Sequence, residues 1–470
     1  MPKPHPLPVR ALLVLASVAL LWLALPPVGL APLALVALAP FLIALQGLTP
    51  RQALSLGFVF GGLSAAANAH WFVHVFHPSF ALLLWGFLGL FATLYATLHA
   101  WLARRSATLL VVTAPALWIA IDWFRSELWF MRFSWFTLGH ALGGSETLRQ
   151  NADLAGVYGL TLFAFATSLA IERAVAYRND GRAFVIVLVT VAANLAFLAR
   201  GNRVVGFAPA EETRALRVLA VQDERYDNLE PKRGKTLEAA RTFPPDVILW
   251  PEDSFFSDYE KRPAWRAGLA EVASLASHAF IFGSTRDIPG EKKQHNAAVL
   301  LDPSGKEIGE YWKRVPVQFV EDAVPGTESP LFHVAGARLG VMICYDGTYP
   351  FVTRDLARAG AEVLLVPTMD DAEWGPIQHA HHALHYAVRA CEVRKPIVRA
   401  ASSGFTFALD AWGREVGAIS PFLTGTLGVT VHPNDIRTPY TELGWLLPMV
   451  ASAVALVGLG AALRRTPVTA

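Results

Sequence analysis

Three apolar runs in the second half of this 470-residue chain end in residues that can do chemistry together. Val247 to Trp250 leads through Pro251 to Glu252, leaving a carboxylate just past the end of a buried strand, where α/β proteins commonly hold ligands. Gly309 to Trp312 leads to Lys313, followed by Pro316 and Glu321. Arg338 to Ile343 leads to Cys344, after which Gly347 and Pro350 force a tight turn into a helix starting near Phe351. A thiol at such a strand-to-turn corner stands beside backbone N–H groups able to hold an oxyanion. A carboxylate can take the thiol proton, and an ammonium can favour the thiolate and stabilise charge developing on a carbonyl oxygen. Those are the parts of acyl transfer through a thioester. Taken singly, each residue has a plainer reading: a strand-terminal cysteine is usually a small core residue, and a lone Glu or Lys is usually solvated.

The elements that position them follow from the apolar patterning. From Leu216, short runs rich in Val, Ile and Leu alternate with helical stretches, giving expected strands at 216–222, 246–250, 279–283, 297–301, 339–344 and 362–367. Helices are expected near 230–242, 265–277, 351–358 and 377–394. Strands apolar on both faces with helices between them predict a layered α/β domain over 213–437. On the last helix His379, His382 and His385 share one face beside His381; without an obvious carboxylate or cysteine partner, that face reads as packing or hydrogen bonding rather than metal binding. Cys391 reads as a buried apolar residue, and two cysteines are too few for a disulfide framework.

The rest of the chain is of another kind. The chain as a whole is 53% hydrophobic and 17% charged, with mean hydropathy +0.38, between a soluble enzyme and a pure membrane bundle. A helix crossing about 30 Å of hydrocarbon needs roughly 20 mostly apolar residues. About eight candidates exist, at 10–26, 30–47, 53–74, 79–103, 107–125, 156–176, 183–200 and 442–463. They predict a bundle over 1–205 and a final helix over 440–465, with the first run retained rather than cleaved as a signal peptide. Basic residues gather on the cytoplasmic side. Lys3, Arg10, Arg51, Arg104, Arg105, Arg173, Arg178, Arg182, Arg464 and Arg465 therefore place both termini inside and the α/β domain outside the cytoplasm. The aromatic stretch Leu128 to His140 suits the headgroup level, either as an interfacial belt or as a wall guiding a lipid chain. A net charge of +2, widely scattered, excludes the concentrated basic face that nucleic acid requires.

Residues 216–432 resemble the carbon–nitrogen hydrolase, or nitrilase, superfamily, whose Glu-Lys-Cys triad falls on Glu252, Lys313 and Cys344. The full chain resembles the bacterial apolipoprotein N-acyltransferase family, also through Leu216–Gln222, Gln150–Leu160, Gln378-His379, Arg389–Arg399 and Ser403-Gly404. The resemblance implies an αββα sandwich beside a multi-span helical bundle. It implies an acyl chain taken from a membrane phospholipid onto Cys344 and passed to the N-terminal amine of a diacylglyceryl-cysteine apolipoprotein. No cofactor and no metal are needed, and the enzyme acts as a monomer in the bacterial inner membrane with its catalytic domain on the periplasmic side. Glu321 takes the place of the family's second acidic residue, and Tyr345, Asp346 and Trp374 are expected to shape the substrate pocket. The sequence departs from the family pattern at Arg314–Glu321, where the proline moves and a glycine is lost, at Asp346, where the family has Glu, and around Thr368–Gly375. Two other functions share these features: a membrane-anchored amidase hydrolysing a C–N bond, and an inactive scaffold of the same fold.

Overall fold

The computed structural model describes residues 4–177, 181–206 and 214–466. Lys3, Arg178 and the expected domain start at 213 lie outside these described residues. The chain divides into two compact units, Met1–Gly206 with Leu443–Ala470, and Phe207–Glu442.

In the first unit, six helices among the described residues are long and apolar enough to cross a bilayer: Leu7–Ala24, Pro78–Ala103, Ala107–Leu128, Ala152–Ala176, Gly181–Val205 and Leu446–Leu463. The expected eight reduce to six because two stretches fold differently. The first, 30–47, breaks into a 3₁₀ turn, Ala31–Leu35, and a short helix, Ala39–Ala44. Pro32 and Pro40 each sit in the first turn of a piece, where a missing N–H is harmless; within one continuous helix Pro40 would remove a bond and clash with the preceding turn. Broken backbone at membrane depth must be satisfied by protein. Ser17 Oγ donates to Ala37 O at 2.5 Å and accepts from Phe41 N at 3.0 Å, while Ser168 Oγ donates to Leu35 O at 2.9 Å. Ala34, Ala37, Leu38 and Phe41 are fully buried around this break.

The second stretch forms Pro50–Asn68, opened by a Thr49–Gln52 capping box, and the single turn Phe72–Val75. Arg51, Gln52 and Asn68 lower its hydropathy, and small residues replace apolar bulk on its contact face. A Cβ on Gly57 would lie 2.7 Å from Ala96 Cβ, and one on Gly61 2.8 Å from Gly89 Cα, so this helix meets Pro78–Ala103 backbone to backbone. In the aromatic stretch Trp129 stacks on Phe87 and Trp135 is buried against Trp71, while Phe130 is exposed.

The second unit is an αββα sandwich of two six-stranded sheets. In chain order the strands of the first sheet are β1 (Leu216–Gln222), β2 (Val247–Leu249), β3 (Ala279–Asp287), β4 (Gln294–Leu301) and β5 (Glu307–Trp312). The second sheet takes β6 (Leu331–Val334), β7 (Ala337–Val341), β8 (Val363–Thr368), β9 (Ile397–Ala401), β10 (Thr406–Leu409) and β11 (Glu415–Ile419), after which β12 (Gly425–Val431) returns to the first. The orders are β12-β1-β2-β3-β4-β5 and β11-β10-β9-β8-β7-β6, with parallel triplets β1–β3 and β7–β9 at the centres. β7 stops at Val341, short of the expected 344, because Cys344–Thr348 winds into a 3₁₀ turn. Trp250, Phe255, Phe280 and Phe282 form the apolar layer under the outer helices of the first sheet, and the buried Trp250 Nε1 donates to Thr236 Oγ1 at 3.0 Å.

Ser17→Ala and Ser168→Ala each strand a buried backbone group of the broken element, costing about 1–3 kcal/mol. Both are expected to lower the thermal unfolding midpoint in detergent, whereas Ser452→Ala, which removes only a bond within its own helix, leaves the midpoint unchanged.

Candidate active site

Strand ends from both sheets converge on one place, with β2, β5, β7 and β8 leading to the parts. Beyond β2, Pro251 ends the ladder and Asp253 adopts a left-handed φ of 49°, turning Glu252 inward. Gly283 on β3 makes room: a Cβ there would lie 2.6 Å from Glu252 Cα. Lys313 follows the last residue of β5 and is 2% exposed, as is Glu252. Its Nζ sits 2.7 Å from both Glu252 Oε1 and Glu321 Oε2. Asn296 on β4 bridges the same two carboxylates, its Nδ2 donating to Glu252 Oε1 at 2.8 Å and Glu321 Oε1 at 2.6 Å. Val317 N donates to Glu321 Oε2 at 3.0 Å, fixing the loop that carries it.

From the other sheet comes the thiol. Cys344 has φ of 47°, the left-handed strain of a residue held at a sharp corner after β7. Its Sγ donates to Met369 O at 3.4 Å, just beyond β8, while Met369 N donates to Glu252 Oε2 at 2.7 Å. The backbone of one residue thus links the Glu252 carboxylate to the Cys344 thiol.

Burial works against the charge on Lys313, but the carboxylates of Glu252 and Glu321 overcome it and hold the ammonium well above the usual lysine range. Burial also opposes the Glu321 charge, and Lys313 reverses this, leaving Glu321 below its usual value. For Cys344 both burial and the Glu252 charge push the thiol well above the usual cysteine range, outweighing Lys313. Lys313 acts on the thiol in the expected direction, although burial and Glu252 act against it more strongly. The cation is shared between two carboxylates.

Glu252, Lys313, Glu321 and Cys344 line one cavity of about 360 Å³ in this unit. Phe256, Val317, Val320 and Trp374 supply apolar wall, and Lys292, Lys293 and His295 supply polar wall.

Residues 17–170 match the apolipoprotein N-acyltransferase N-terminal domain and residues 213–439 the carbon-nitrogen hydrolase domain. An apolipoprotein N-acyltransferase of Geobacter metallireducens is 28% identical over 517 residues, covering 97% of this chain and 95% of that protein. One of Azotobacter vinelandii is 30% identical over 507 residues, with the same coverage of both. The chain belongs to the apolipoprotein N-acyltransferase family.

Within this family member the remaining candidate residues fall into different places. Trp374 lines the cavity. Asp346 does not: fully buried behind the elbow, it accepts from Tyr311 OH at 2.7 Å, Val315 N at 2.8 Å and Ile343 N at 3.1 Å. Burial pushes its carboxyl up to about 6, against those hydrogen bonds. It ties the Cys344 turn to the segment after Lys313. Tyr345 is buried edge-on against Tyr349, 5.1 Å between ring centres, and is not part of the cavity wall.

Sequence reasoning missed Asn296, a polar residue near the start of an apolar strand, and the Met369 peptide, whose role no side chain announces. It also missed the carboxylate partner of His382. Asp370 Oδ1 lies 2.7 Å from His382 Nδ1, and Arg399 Nη2 bonds Asp370 and lies 3.1 Å from the same nitrogen. Tyr386 OH donates to Cys344 O at 2.6 Å and lies 3.4 Å from His382 Nε2, so this second network braces the elbow from behind. Ligand atoms of Cys344, Asp370 and His382 lie within 4.8 Å of one another, and two of these residues, Asp370 and His382, already meet the Arg399 guanidinium.

Iodoacetamide alkylation of Cys344 is expected to keep accelerating past pH 9 instead of levelling near the ordinary thiol value of about 8.5; a plateau below pH 8 would show a resting thiolate. Gly283→Ala should displace Glu252 and lower turnover by about 10²-fold while the folded α/β unit persists by circular dichroism.

Proposed function

We propose that this protein is an acyltransferase that moves an acyl chain from a membrane phospholipid through a thioester on Cys344 to the N-terminal amine of a diacylglyceryl-cysteine apolipoprotein. The observation that carries the reading is the buried Glu252–Lys313–Glu321 cluster, joined through the Met369 peptide to a thiol on a strained turn, in a chain of this family. As Sγ attacks the ester carbonyl, the thiol proton passes to Glu252, and the oxyanion forms facing the Lys313 ammonium and backbone N–H groups of the 344–348 turn. The C–O bond breaks, Glu252 returns the proton to the departing alkoxide, and lysophospholipid leaves. The amine then attacks the thioester, gives a proton to Glu252, and the C–S bond breaks with that proton passing to the Cys344 sulfur. Glu321 keeps Lys313 in place during both steps, Asp346 and Tyr345 support the elbow, and Trp374 forms part of the acyl wall. No cofactor enters either half.

Both substrates are membrane lipids, which explains a multi-pass bundle on a soluble-type catalytic domain: the search for partners is confined to two dimensions. The distribution of Lys and Arg supports a protein of the bacterial inner membrane whose domain at 213–437 works on the periplasmic side, held by the bundle over 1–205 and the helix within 440–465 and acting as a monomer.

Incubated with phospholipid labelled in its sn-1 acyl chain and a diacylated lipopeptide, the purified protein is expected to yield triacylated lipopeptide and lysophospholipid in equal amounts. Cys344→Ala should lower that yield by about 10³-fold or more. Release of ammonia from a panel of small amides, with no lipid transfer, would make the protein a hydrolase instead. Full activity in Cys344→Ala would remove the thioester altogether.

A further inference from the structure

We propose that Thr285 and Asn296 form a subsite for the attacking amine, separate from the groups that activate the thiol; the inference rests on the transfer reaction proposed above. Asn296 is 4% exposed, and its orientation is not open to an amide flip. Both neighbours of Nδ2, Glu252 Oε1 and Glu321 Oε1, are acceptors, so the nitrogen must face them and Oδ1 must face elsewhere. That Oδ1 is buried with no hydrogen-bond partner. Directly opposite on the neighbouring strand is Thr285, paired with Asn296 in the β3–β4 register, and side chains so paired share one face of the sheet. The Thr285 Oγ1 is likewise buried and unpartnered, and both residues line the cavity that holds Glu252, Lys313 and Cys344.

Buried polar atoms are nearly always satisfied in folded proteins, and two left open on adjacent strands of one cavity call for a ligand; the Thr285 hydroxyl can donate or accept, but Asn296 Oδ1 can only accept, so that ligand must bring a hydrogen. The chemistry of the two half-reactions says which. A phospholipid ester offers carbonyl, ester and phosphate oxygens, all acceptors. The amine is the substrate that arrives with N–H groups on its reacting atom. Of its two hydrogens, one is accepted by Asn296 Oδ1 or Thr285 Oγ1 and stays on nitrogen in the product amide. The other goes to Glu252 as the C–N bond forms, and from there to the Cys344 sulfur as the C–S bond breaks. Because Asn296 also holds Glu252 through Nδ2, the same side chain places the amine beside the base that must deprotonate it.

The test separates the half-reactions in the full-length protein. Acylation is followed as the single-turnover burst of lysophospholipid and the mass of the acyl-enzyme; transfer is followed as decay of preloaded acyl-enzyme after addition of a diacylated lipopeptide. Thr285→Val is expected to slow transfer at least tenfold while acylation stays within about threefold of wild type, and Thr285→Ser to restore transfer. Asn296→Ala should slow transfer at least tenfold more than it slows acylation, since it also loosens Glu252. Equal slowing of both steps in both variants, or unchanged transfer in Thr285→Val, would overturn the subsite. If the wild type itself takes no acyl chain from phospholipid, the donor reading falls. Transfer from acyl-enzyme loaded with a p-nitrophenyl ester then still decides the subsite by the same comparison.

Discussion

The catalytic unit is organised around one buried ammonium. Taking a charge out of water costs several kcal/mol, and Lys313 is tolerated at 2% exposure only because two carboxylates meet it at 2.7 Å each. The reverse also holds: the Glu252 and Glu321 carboxyl groups can lie side by side because a cation and the Asn296 amide lie between them. Glu252 receives three donors, from Lys313, Asn296 and the Met369 backbone, and is therefore held in a single pose. Each partner arrives from a different strand end, so the cluster can form only when β2, β4, β5 and β8 are all in register. Fold and site are specified by the same set of contacts.

The nucleophile is prepared differently. Burial pushes its thiol up, and what the protein supplies is position: a left-handed backbone at Cys344, with Asp346 fastening the turn on one side and Tyr386 on the other. Those supports cross between the sheets, since Asp346 binds Tyr311 of β5 and the chain after Lys313, while the Met369 peptide links Glu252 to Cys344.

Much of this was legible in the residues. Strand-terminal Glu252, Lys313 and Cys344 announce themselves because each polar group closes a short apolar run, which is a local pattern. Of the central parallel strands, β1 to β3, β7 and β8 were legible for the same reason, whereas β6 and β9 to β12 were not anticipated: β11 is largely exposed, and β12 is placed by β1, a partner distant in sequence. Asn296, Met369 and the Asp370–His382–Arg399 group escaped because their meaning lies wholly in what tertiary structure sets beside them. Asp346, next to the nucleophile, looked like pocket wall and is instead a brace behind it. In the bundle, hydropathy over a window does not register where Pro32 and Pro40 interrupt a helix, nor that glycines make a less apolar helix pack well.

That interrupted element has a consequence for how the chain is made. A segment with carbonyls open at Ala37 and Leu35 cannot settle in hydrocarbon by itself, and the hydroxyl that closes Leu35 belongs to Ser168, 133 residues later. The 31–44 stretch therefore completes its hydrogen bonds only with the Ala152–Ala176 helix in place. Assembly of this membrane unit is thus ordered by a late-arriving side chain, and its early helices reach their final packing only after most of the bundle has entered the bilayer.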